Sequence, residues 1–372
     1  MNPIKIIILS AALLTGPARS SLPSPPASTK NVIAYFEAGR FGGWPANGGI
    51  WSWGDEIAVC VTRAWFKHNP EEHSVDRDKP GVTAIVRSLD GGETWQMEEH
   101  KELQMSSGAK SAPGGINFTH PDFAMRVRDG MFFYSYDRGR TWRGPYTLPD
   151  FKLGDQLTSR TDYIVNGPAD CHLFVSVKDE KVQSGIPDRA FAIRTQDGGK
   201  TFVFLGWMTG EEPPMARSVM PATVRTSDGA FVSLLRRRFD LKIGYRNDVN
   251  WLDAYGSKDD GRSWKFLARI AYTDTSFHNG NPPSLVQLPD GRLAAAYGVR
   301  SRPFGIRARV SSDHGVSWGS EFILRDDART WDIGYCRSVV RPDGKIVTVY
   351  YYATKENFEN HIAATIWSPP AE

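Results

Sequence analysis

The chain has 372 residues, of which 40% are hydrophobic, 23% are charged and 12% are aromatic, and its formal net charge is +3 at pH 7. A charge this close to zero gives no reason to expect a nucleic-acid or membrane partner. The length allows a large core, and all-β folds of this size often form one domain.

Residues 1–20 have the organisation of a secretory signal. Lys5 supplies positive charge, residues 6–14 are apolar, and Ala18-Arg19-Ser20 resembles a cleavage site. The apolar run is too short to span a bilayer. Its removal lowers the formal charge from +3 to +1, and the remaining chain is expected to be secreted or periplasmic. Residues 21–30 predict a disordered leader before a folded domain at residues 31–372.

One eight-residue phrase occurs five times in the rest of the chain. Its frame is Ser/Thr-x-Asp-x-Gly-x-Ser/Thr-aromatic, and the copies occupy residues 88–95, 135–142, 195–202, 257–264 and 311–318. Self-similarity at intervals of 47–62 residues marks a repeat architecture. Each copy lies between short apolar runs, which predicts a β-hairpin with the phrase as its turn.

Every residue type in the phrase has a structural role in such a turn. The Asp carboxylate can accept backbone N–H bonds, the Gly supplies a positive φ, and the aromatic residue gives the turn a side chain to bury. Because turn chemistry accounts for the phrase, its aspartates are excluded from the candidate site.

Six segments share one order of elements: an apolar strand pair, often turning on Asp-Gly, and then a hairpin turned by the phrase. They begin near Trp44, His120, Asp162, Ser218, Asn281 and Tyr335. The sixth lacks both the phrase and an outer strand, whereas residues 31–36 are a spare apolar strand. We expect this N-terminal strand to close the ring, because it protects an open sheet edge. The sequence therefore predicts an all-β six-bladed β-propeller of four-stranded antiparallel blades.

The chain has three cysteines, Cys60, Cys171 and Cys336. An odd count permits at most one internal disulfide, and buried free thiols are the expectation. The sequence contains no CxxC or HExxH pattern, so neither a metal site nor a cofactor is expected.

The chain resembles the sialidase superfamily of six-bladed propellers, in which the repeated phrase is called the Asp-box or BNR repeat. The resemblance extends over about residues 31–368 and rests on the five boxes. Box-bearing propellers include sialidases, other glycosidases, polysaccharide lyases and non-catalytic glycan binders, so the fold leaves the activity open. In sialidases three arginines clamp the sugar carboxylate, a tyrosine is the nucleophile with a Glu as its base, and an Asp is the general acid/base.

Tyr335 resembles the tyrosine nucleophile of that family. It follows Asp332-Ile-Gly and precedes a strand and an Asp-Gly turn, as in the family's last blade. Arg63 resembles the arginine that ends the family's second strand. The loop after Arg63 corresponds to the region of the acid/base Asp, so Asp76 and Asp78 are candidates, with rivals Glu71, Glu72, His68 and His73.

The chain also departs from the family pattern. Gly43 stands where the first clamp arginine is expected, and Met220 stands near the position of the Glu. Arg236, with Arg237 and Arg238 beside it, supplies an arginine late in blade four. Arg302 is close to the arginine expected in blade five, where Arg300 and Arg307 compete.

Other polar residues stand at the predicted strand starts, which face the axis in propellers. They are His120, Asp122, Tyr163, Arg217, His278 and Asn281. With Tyr335 such a set could bind a uronic acid and abstract the proton beside its carboxylate, which is lyase chemistry.

Three functions therefore remain open. The first is a secreted sialidase-like glycoside hydrolase, of the exo-α-sialidase class, acting on an acidic sugar of a glycan. The second is a polysaccharide lyase acting on uronate-containing polysaccharide, and the third is a non-catalytic glycan-binding propeller. In each case the partner is an acidic oligosaccharide or polysaccharide, and a monomer is expected.

Overall fold

The computed structural model describes residue 26 and residues 28–104, 108–178, 188–210, 216–239, 249–274 and 280–369. The predicted signal at residues 1–20 lies outside the described residues. Strand β1 (Ser28–Tyr35) begins inside the predicted leader, because residues 28–30 already pair with residues 366–368. Within the described ranges no helix is long and apolar enough to cross a bilayer.

The described strands form six antiparallel sheets, one for each blade. Blade one contains β2 (Arg40–Gly43), β3 (Ile50–Trp53), β4 (Glu56–Trp65), β5 (Val82–Ser88) and β6 (Gln96–Glu99). Blade two contains β7 (Ala124–Arg128), β8 (Met131–Ser135) and β9 (Arg143–Thr147). Blade three contains β10 (Gln156–Leu157), β11 (Tyr163–Gly167), β12 (Asp170–Lys178), β13 (Asp188–Thr195) and β14 (Val203–Trp207).

Blade four contains β15 (Arg217–Arg225), β16 (Phe231–Phe239), β17 (Val249–Ser257) and β18 (Lys265–Asp274). Blade five contains β19 (Ser284–Gln287), β20 (Leu293–Val299), β21 (Gly305–Ser311) and β22 (Phe322–Arg325). Blade six contains β23 (Gly334–Val340), β24 (Ile346–Tyr352) and β25 (His361–Ser368), and β1 adds to β25. Two short 3₁₀ helices in the described ranges cover Pro45–Asn47 and Lys101–Gln104.

The predicted six-bladed propeller is confirmed, and so is its closure by the N-terminal strand. Strand β1 pairs with β25 in a register from Ser28 opposite Ser368 to Tyr35 opposite Ile362. The first and last strands of the fold thus lie side by side, which leaves no free edge at β25.

Blade two has three strands in the described part of the chain. Its box joins β8 to β9, so the strand that is not formed is the innermost one. The segment before β7 binds blade three instead, with the Ile116 N–H donating to Gly198 O at 3.0 Å and the Phe118 N–H donating to Pro168 O at 2.8 Å. The Asp129-Gly130 turn therefore joins the second and third strands, and it lies at the end of the ring opposite to the boxes.

The boxes are turns with the hydrogen bonds that their sequence predicts. In the first, Asp90 Oδ1 accepts the Thr94 N–H at 2.9 Å, Asp90 Oδ2 accepts the Thr94 hydroxyl at 2.6 Å, and Ser88 Oγ accepts the Gly92 N–H at 2.7 Å. Burial alone would raise the pKa of Asp90, but hydrogen bonds from Thr94 and Ser88 lower it to about 2. The aspartates are structural carboxylates, as their sequence context indicates.

Six clusters of apolar side chains fill the described core, one between each pair of neighbouring blades. Box aromatics belong to them: Trp142 packs between blades one and two, and Trp264 between blades three and four. The three cysteines are buried and free. Each box therefore also fastens its blade to the preceding one.

Candidate active site

A cavity of about 590 Å³ opens at the end of the ring opposite to the boxes. Strand β23 begins there with Gly334 and Tyr335 and leads to the other end, where Arg341 donates to Gly91 O of the first box. Blades one, two and six form its walls, and its described lining is Trp44, Asn47, Thr62, His73, Arg77, Gly81, Val82, Thr83, Leu103, Gln104, Arg126, Arg128, Asp129, Met131, Phe133 and Tyr335.

Tyr335 is held in an unusual backbone conformation. Its φ is 55°, in the left-handed region that costs a non-glycine residue about 1–2 kcal/mol. The buried Asn281 side chain accepts the Tyr335 N–H through Oδ1 at 2.8 Å. Gly334 has a φ of 103°, and a Cβ there would lie 2.1 Å from Asn281 Oδ1. Glycine is thus required for the chain to pass Asn281 and present Tyr335 to the cavity.

The same left-handed conformation recurs at Trp44 and Asp129, which line the cavity with φ values of 56° and 53°. Met220 also has a φ of 53°, and its Sδ lies 3.7 Å from Arg236 Nη1. Such strain persists only where the surrounding structure enforces it, and it concentrates at functional sites.

Two arginines flank the Tyr335 side chain. Arg236 of blade four lies beside it. Arg300, which is fully buried, lies with its guanidinium 5.5 Å from the centre of the Tyr335 ring and donates to the Tyr351 hydroxyl at 2.6 Å. Burial alone would raise the pKa of Tyr335, but the charges of Arg236, Arg300 and Arg160 lower it below its ordinary value. The site therefore favours the phenolate of Tyr335.

A histidine and a buried aspartate form a pair at the cavity wall. Asp332 Oδ1 lies 2.5 Å from His73 Nδ1 and accepts the Tyr351 hydroxyl at 2.6 Å, while Oδ2 accepts the Ser74 N–H at 2.9 Å. Burial alone would raise the pKa of Asp332, but the hydrogen bond from His73 and the charge of Arg300 lower it. An ionised carboxylate only accepts, so His73 Nδ1 carries the proton and Nε2 is left for the cavity.

Two tryptophans fix the His73 ring from either side. The Trp44 ring lies 5.3 Å away in a T-shaped arrangement, and the Trp331 ring lies 5.5 Å away. Trp331 is itself fixed by an indole N–H that donates to Pro70 O at 2.8 Å. We call Tyr335, Arg236, Arg300, His73 and Asp332 the axial cluster.

The axial cluster combines three chemical capabilities. Guanidinium groups can bind a carboxylate, a phenolate can act as nucleophile or base, and an oriented imidazole can move a proton. Asp129 is the one acidic residue among the described lining, and it binds Arg160 at 2.8 Å and Arg128 at 3.4 Å.

The structure brings together three of the predicted site residues, which are Tyr335, Arg236 and Asn281. Asn281 supports the Tyr335 backbone from behind and does not line the cavity. Two residues that competed with other candidates also belong to the cluster. Arg300 is a fully buried arginine of blade five, and His73 lines the cavity together with Arg77 of the same 66–78 loop.

Arg63 lies away from the axial cluster. Its guanidinium binds Glu37 Oε2 at 2.7 Å and Glu99 Oε1 at 3.0 Å. Because Glu99 belongs to the outer strand of blade one, these ion pairs hold Arg63 at the outer side of the blade. Both carboxylates neutralise its charge there.

Asp76 and Asp78 do not line the cavity either. Asp76 accepts the Asp78 N–H at 3.2 Å and binds Lys79 at 3.3 Å, so it stabilises a turn of the loop. Asp78 is 84% exposed and binds Lys67 at 3.2 Å. The structure therefore offers His73, and neither aspartate, as the acid/base of this loop.

His120 and Asp122 lie at the box end, contrary to the expectation that they face the axis. Asp122 Oδ1 accepts Arg138 Nε at 2.6 Å, and Arg138 belongs to the second box. The His120 ring packs on Tyr136 at 4.7 Å. They lie there because the segment before β7 does not form the inner strand of blade two and runs along the box end.

The remaining predicted residues are also outside the axial cluster. Tyr163 accepts the Met125 N–H at 3.3 Å between blades two and three, and Arg217 binds Asp188 at 3.3 Å. Arg302 is exposed, with its guanidinium 4.7 Å from the Phe304 ring. His278 lies outside the described residues.

Three residues at the site were not among those predicted from the sequence: Asp332, Trp44 and Trp331. Asp332 lies three residues before Tyr335, and that proximity was the one available signal. Its partner His73 is 259 positions away, so the pairing depends on closure of the ring.

The fold and the axial cluster define a six-bladed propeller of the sialidase-like BNR superfamily. The chain belongs to the family of BNR repeat-like domains, since the family model matches residues 118–348. No curated protein sequence matches the chain.

Several solved structures share the fold at low sequence identity. A protein of unknown function from Dyadobacter fermentans is 20% identical with a TM-score of 0.68, over 92% of this chain and 100% of that one. The Penicillium chrysogenum alpha-L-arabinanase complexed with arabinobiose is 13% identical with a TM-score of 0.56, over 93% and 96%. The Trypanosoma rangeli sialidase in complex with sialic acid is 13% identical with a TM-score of 0.52, over 92% of this chain and 59% of that one.

Proposed function

We propose that this protein is a glycoside hydrolase that releases an acidic sugar from a glycan, with Tyr335 as its nucleophile. The observation that carries the proposal is the position of the Tyr335 side chain between Arg236 and Arg300 at a cavity on the propeller axis. The arabinobiose and sialic acid complexes of proteins with this fold support a glycan as the ligand.

The acidity of the sugar is inferred from Arg236. In the described part of the chain Arg236 forms no ion pair, and its Nε has no hydrogen-bond partner. Its charge faces Tyr335, and a substrate carboxylate would bind its remaining donors with bidentate geometry.

Tyrosine is a suitable nucleophile beside an anionic sugar, because a carboxylate nucleophile would be repelled by the substrate. Arg236 and Arg300 lower the pKa of Tyr335, and in this proposal they take the part of the Glu base used by sialidases. Its oxygen attacks the anomeric carbon as the bond to the leaving-group oxygen breaks, which gives a covalent glycosyl–tyrosine intermediate.

His73 is proposed as the general acid and base. Its imidazolium gives the Nε2 proton to the departing oxygen in the first step. In the second step the neutral imidazole takes a proton from water as the water oxygen attacks the anomeric carbon and Tyr335 leaves as phenolate. Asp332 holds the ring through Nδ1 and stabilises the imidazolium.

A lyase remains the second candidate, and His73 is the observation that favours it. An imidazole and a phenolate can together abstract a proton beside a uronate carboxylate and protonate the leaving oxygen, with Arg236 neutralising the acid. The expected product then contains an unsaturated uronate.

The test is incubation of the purified protein with sialosides and with uronate-containing polysaccharides. Free sugar without ultraviolet absorbance from an unsaturated product supports the hydrolase, and growth of that absorbance supports the lyase. Binding to a glycan array without either product would refute both and leave a glycan-binding propeller.

The companion variant is Tyr335→Phe, which is expected to lower kcat by about 10²-fold or more. Tyr146→Phe is the matched control, since Tyr146 lies on the outer strand β9 and away from the cavity. Full activity of Tyr335→Phe would remove the tyrosine from the mechanism.

We also propose that the protein is exported through residues 1–20. Their charged start, apolar middle and small-residue end support this. N-terminal sequencing of the exported protein should show residues 1–20 removed, and an intact N-terminus on cytoplasmic protein would contradict export.

A further inference from the structure

A buried arginine of blade two lines the same cavity as Tyr335. Arg126 in β7 faces blade one, is only 4% exposed, and lines the cavity. Its guanidinium lies 5.3 Å from the centre of the Phe133 ring. The cavity thus extends from the axis into a cleft between blades one and two.

Arg126 has no counter-charge among the described residues. It forms no ion pair there, and its Nε has no hydrogen-bond partner. Cys60 beside it cannot supply a charge, because burial raises the pKa of that thiol despite the nearby Arg126 and Arg128. The nearest acid, Asp129, is already bound to Arg160 at 2.8 Å and Arg128 at 3.4 Å.

A buried, unpaired cation is a poor structural element. Burying a charge is strongly unfavourable unless it is paired and hydrogen-bonded, and breaking a buried pair is costly for the same reason. An apolar residue of similar size would stabilise this interface better. The guanidinium is therefore explained by an anion that enters the cleft.

The cleft around Arg126 is shaped to admit such an anion. Arg128 and the exposed Arg77 add positive charge to its lining, and Thr83 and Gln104 add polar groups. Because one continuous cavity connects Arg126 with Tyr335, a ligand held at the axis can extend into the cleft.

We propose that Arg126 forms a second anion-binding subsite, and that the substrate carries acidic groups on two neighbouring sugar units. The glycan nature of the ligand rests on the proposed function, whereas the anion site rests on Arg126 itself. A uronate carboxylate and a sulfate ester share the chemistry that a guanidinium recognises.

The test counts anion sites with inorganic sulfate as the probe, by isothermal titration calorimetry of the full chain at low ionic strength. The wild type is expected to bind two sulfates, and Arg126→Met and Arg236→Met one each. Arg302→Met is the matched control and should bind two, since Arg302 is exposed and outside the cavity.

The outcomes separate the two proposals. A single sulfate in the wild type that persists in Arg126→Met overturns the second subsite and leaves the axial one intact. Two sulfates in Arg236→Met overturn the axial clamp and leave Arg126 untouched. If Arg126→Met does not fold, Met131→Glu replaces it as the test variant, because it places a carboxylate at the cleft. This variant should bind one sulfate, and two bound sulfates would overturn the subsite.

Oligosaccharides then identify the anion. Digalacturonate is expected to bind about tenfold or more weakly to Arg126→Met than to the wild type, which corresponds to about 1.4 kcal/mol. Its monomethyl ester should show no such loss. A disaccharide with a sulfate ester on each unit is then compared in the same way. If the wild type and Arg126→Met bind digalacturonate equally well and also bind this disulfated disaccharide equally well, the subsite is refuted.

Discussion

Replacement of Asp332 by Asn tests whether His73 acts through a buried carboxylate. Asp332 is fully buried and accepts hydrogen bonds from His73, Tyr351 and the Ser74 N–H. Asparagine keeps the volume and one acceptor oxygen. Its NH₂ group cannot accept, so it either loses the hydrogen bond from the Ser74 N–H or forces His73 Nδ1 and the Tyr351 hydroxyl to change from donors to acceptors.

The magnitude follows from those contacts. Hydrogen bonds to charged groups contribute about 1.5–3 kcal/mol each, so we expect a loss of about 2–4 kcal/mol of unfolding free energy. The unfolding free energy of a domain is usually about 5–15 kcal/mol, so the variant should still fold. Misorientation of the proton donor should lower kcat by about 10²–10⁴-fold, or about 3–5 kcal/mol in the barrier.

The stability loss should also depend on pH. The pKa of Asp332 is lowered in the folded protein, so its stabilisation is present above the unfolded value of about 3.9 and is lost as pH falls through the folded value. The unfolding free energies of wild type and Asp332→Asn, measured by urea denaturation, should therefore differ at pH 7 and become more similar at about pH 3.

The assay for function is steady-state kinetics on whichever acidic glycan the protein cleaves, with a full pH profile. Asp343→Asn is the control, because Asp343 is a partly exposed turn residue that binds Arg341 at 3.1 Å and such pairs contribute about 0–1 kcal/mol. A kcat within about threefold of wild type in Asp332→Asn would refute the relay, since proton-transfer catalysis is worth much more.

Two further predictions concern residues that touch no substrate. Asn281→Ala removes the acceptor of the Tyr335 N–H and should lower kcat about tenfold or more with little change in KM, because misplacing a reacting group is costly; Asn281→Asp keeps an acceptor oxygen and should lose less. Asp259→Ala removes the acceptor of the Ser263 N–H and hydroxyl in the fourth box and should cost about 1–2 kcal/mol of stability. Calorimetric unfolding would measure it, and an unchanged midpoint or a changed KM would contradict a purely structural box.

The strand pattern was predictable because the signals of this fold are local. Each box carries its own turn chemistry, so five copies locate five hairpins without any tertiary information. The incomplete sixth repeat and the spare N-terminal strand likewise predicted the pairing of β1 with β25. Blade two was less predictable, because its missing inner strand depends on contacts with blade three.

The candidate site was predictable only where a residue sits at a fixed place in its own blade. Tyr335 and Arg236 were identified in this way. Arg63 was misjudged because its partners Glu37 and Glu99 come from elements that its own sequence segment does not reveal. Sequence position alone also could not show that Asp76 turns back onto Lys79 while His73, three residues earlier, reaches the cavity.

The sequence by itself determined the propeller, the number of its blades, the structural role of its box aspartates and the tyrosine at the start of its last inner strand. The tertiary structure decided which charged groups meet on the axis. Closure of the ring brings His73 to Asp332 across 259 positions, and the packing of blade two on blade one buries Arg126 with no ion pair to any described residue. Both arrangements depend on the desolvation and pairing of charges, and these properties exist only once distant segments have been packed together.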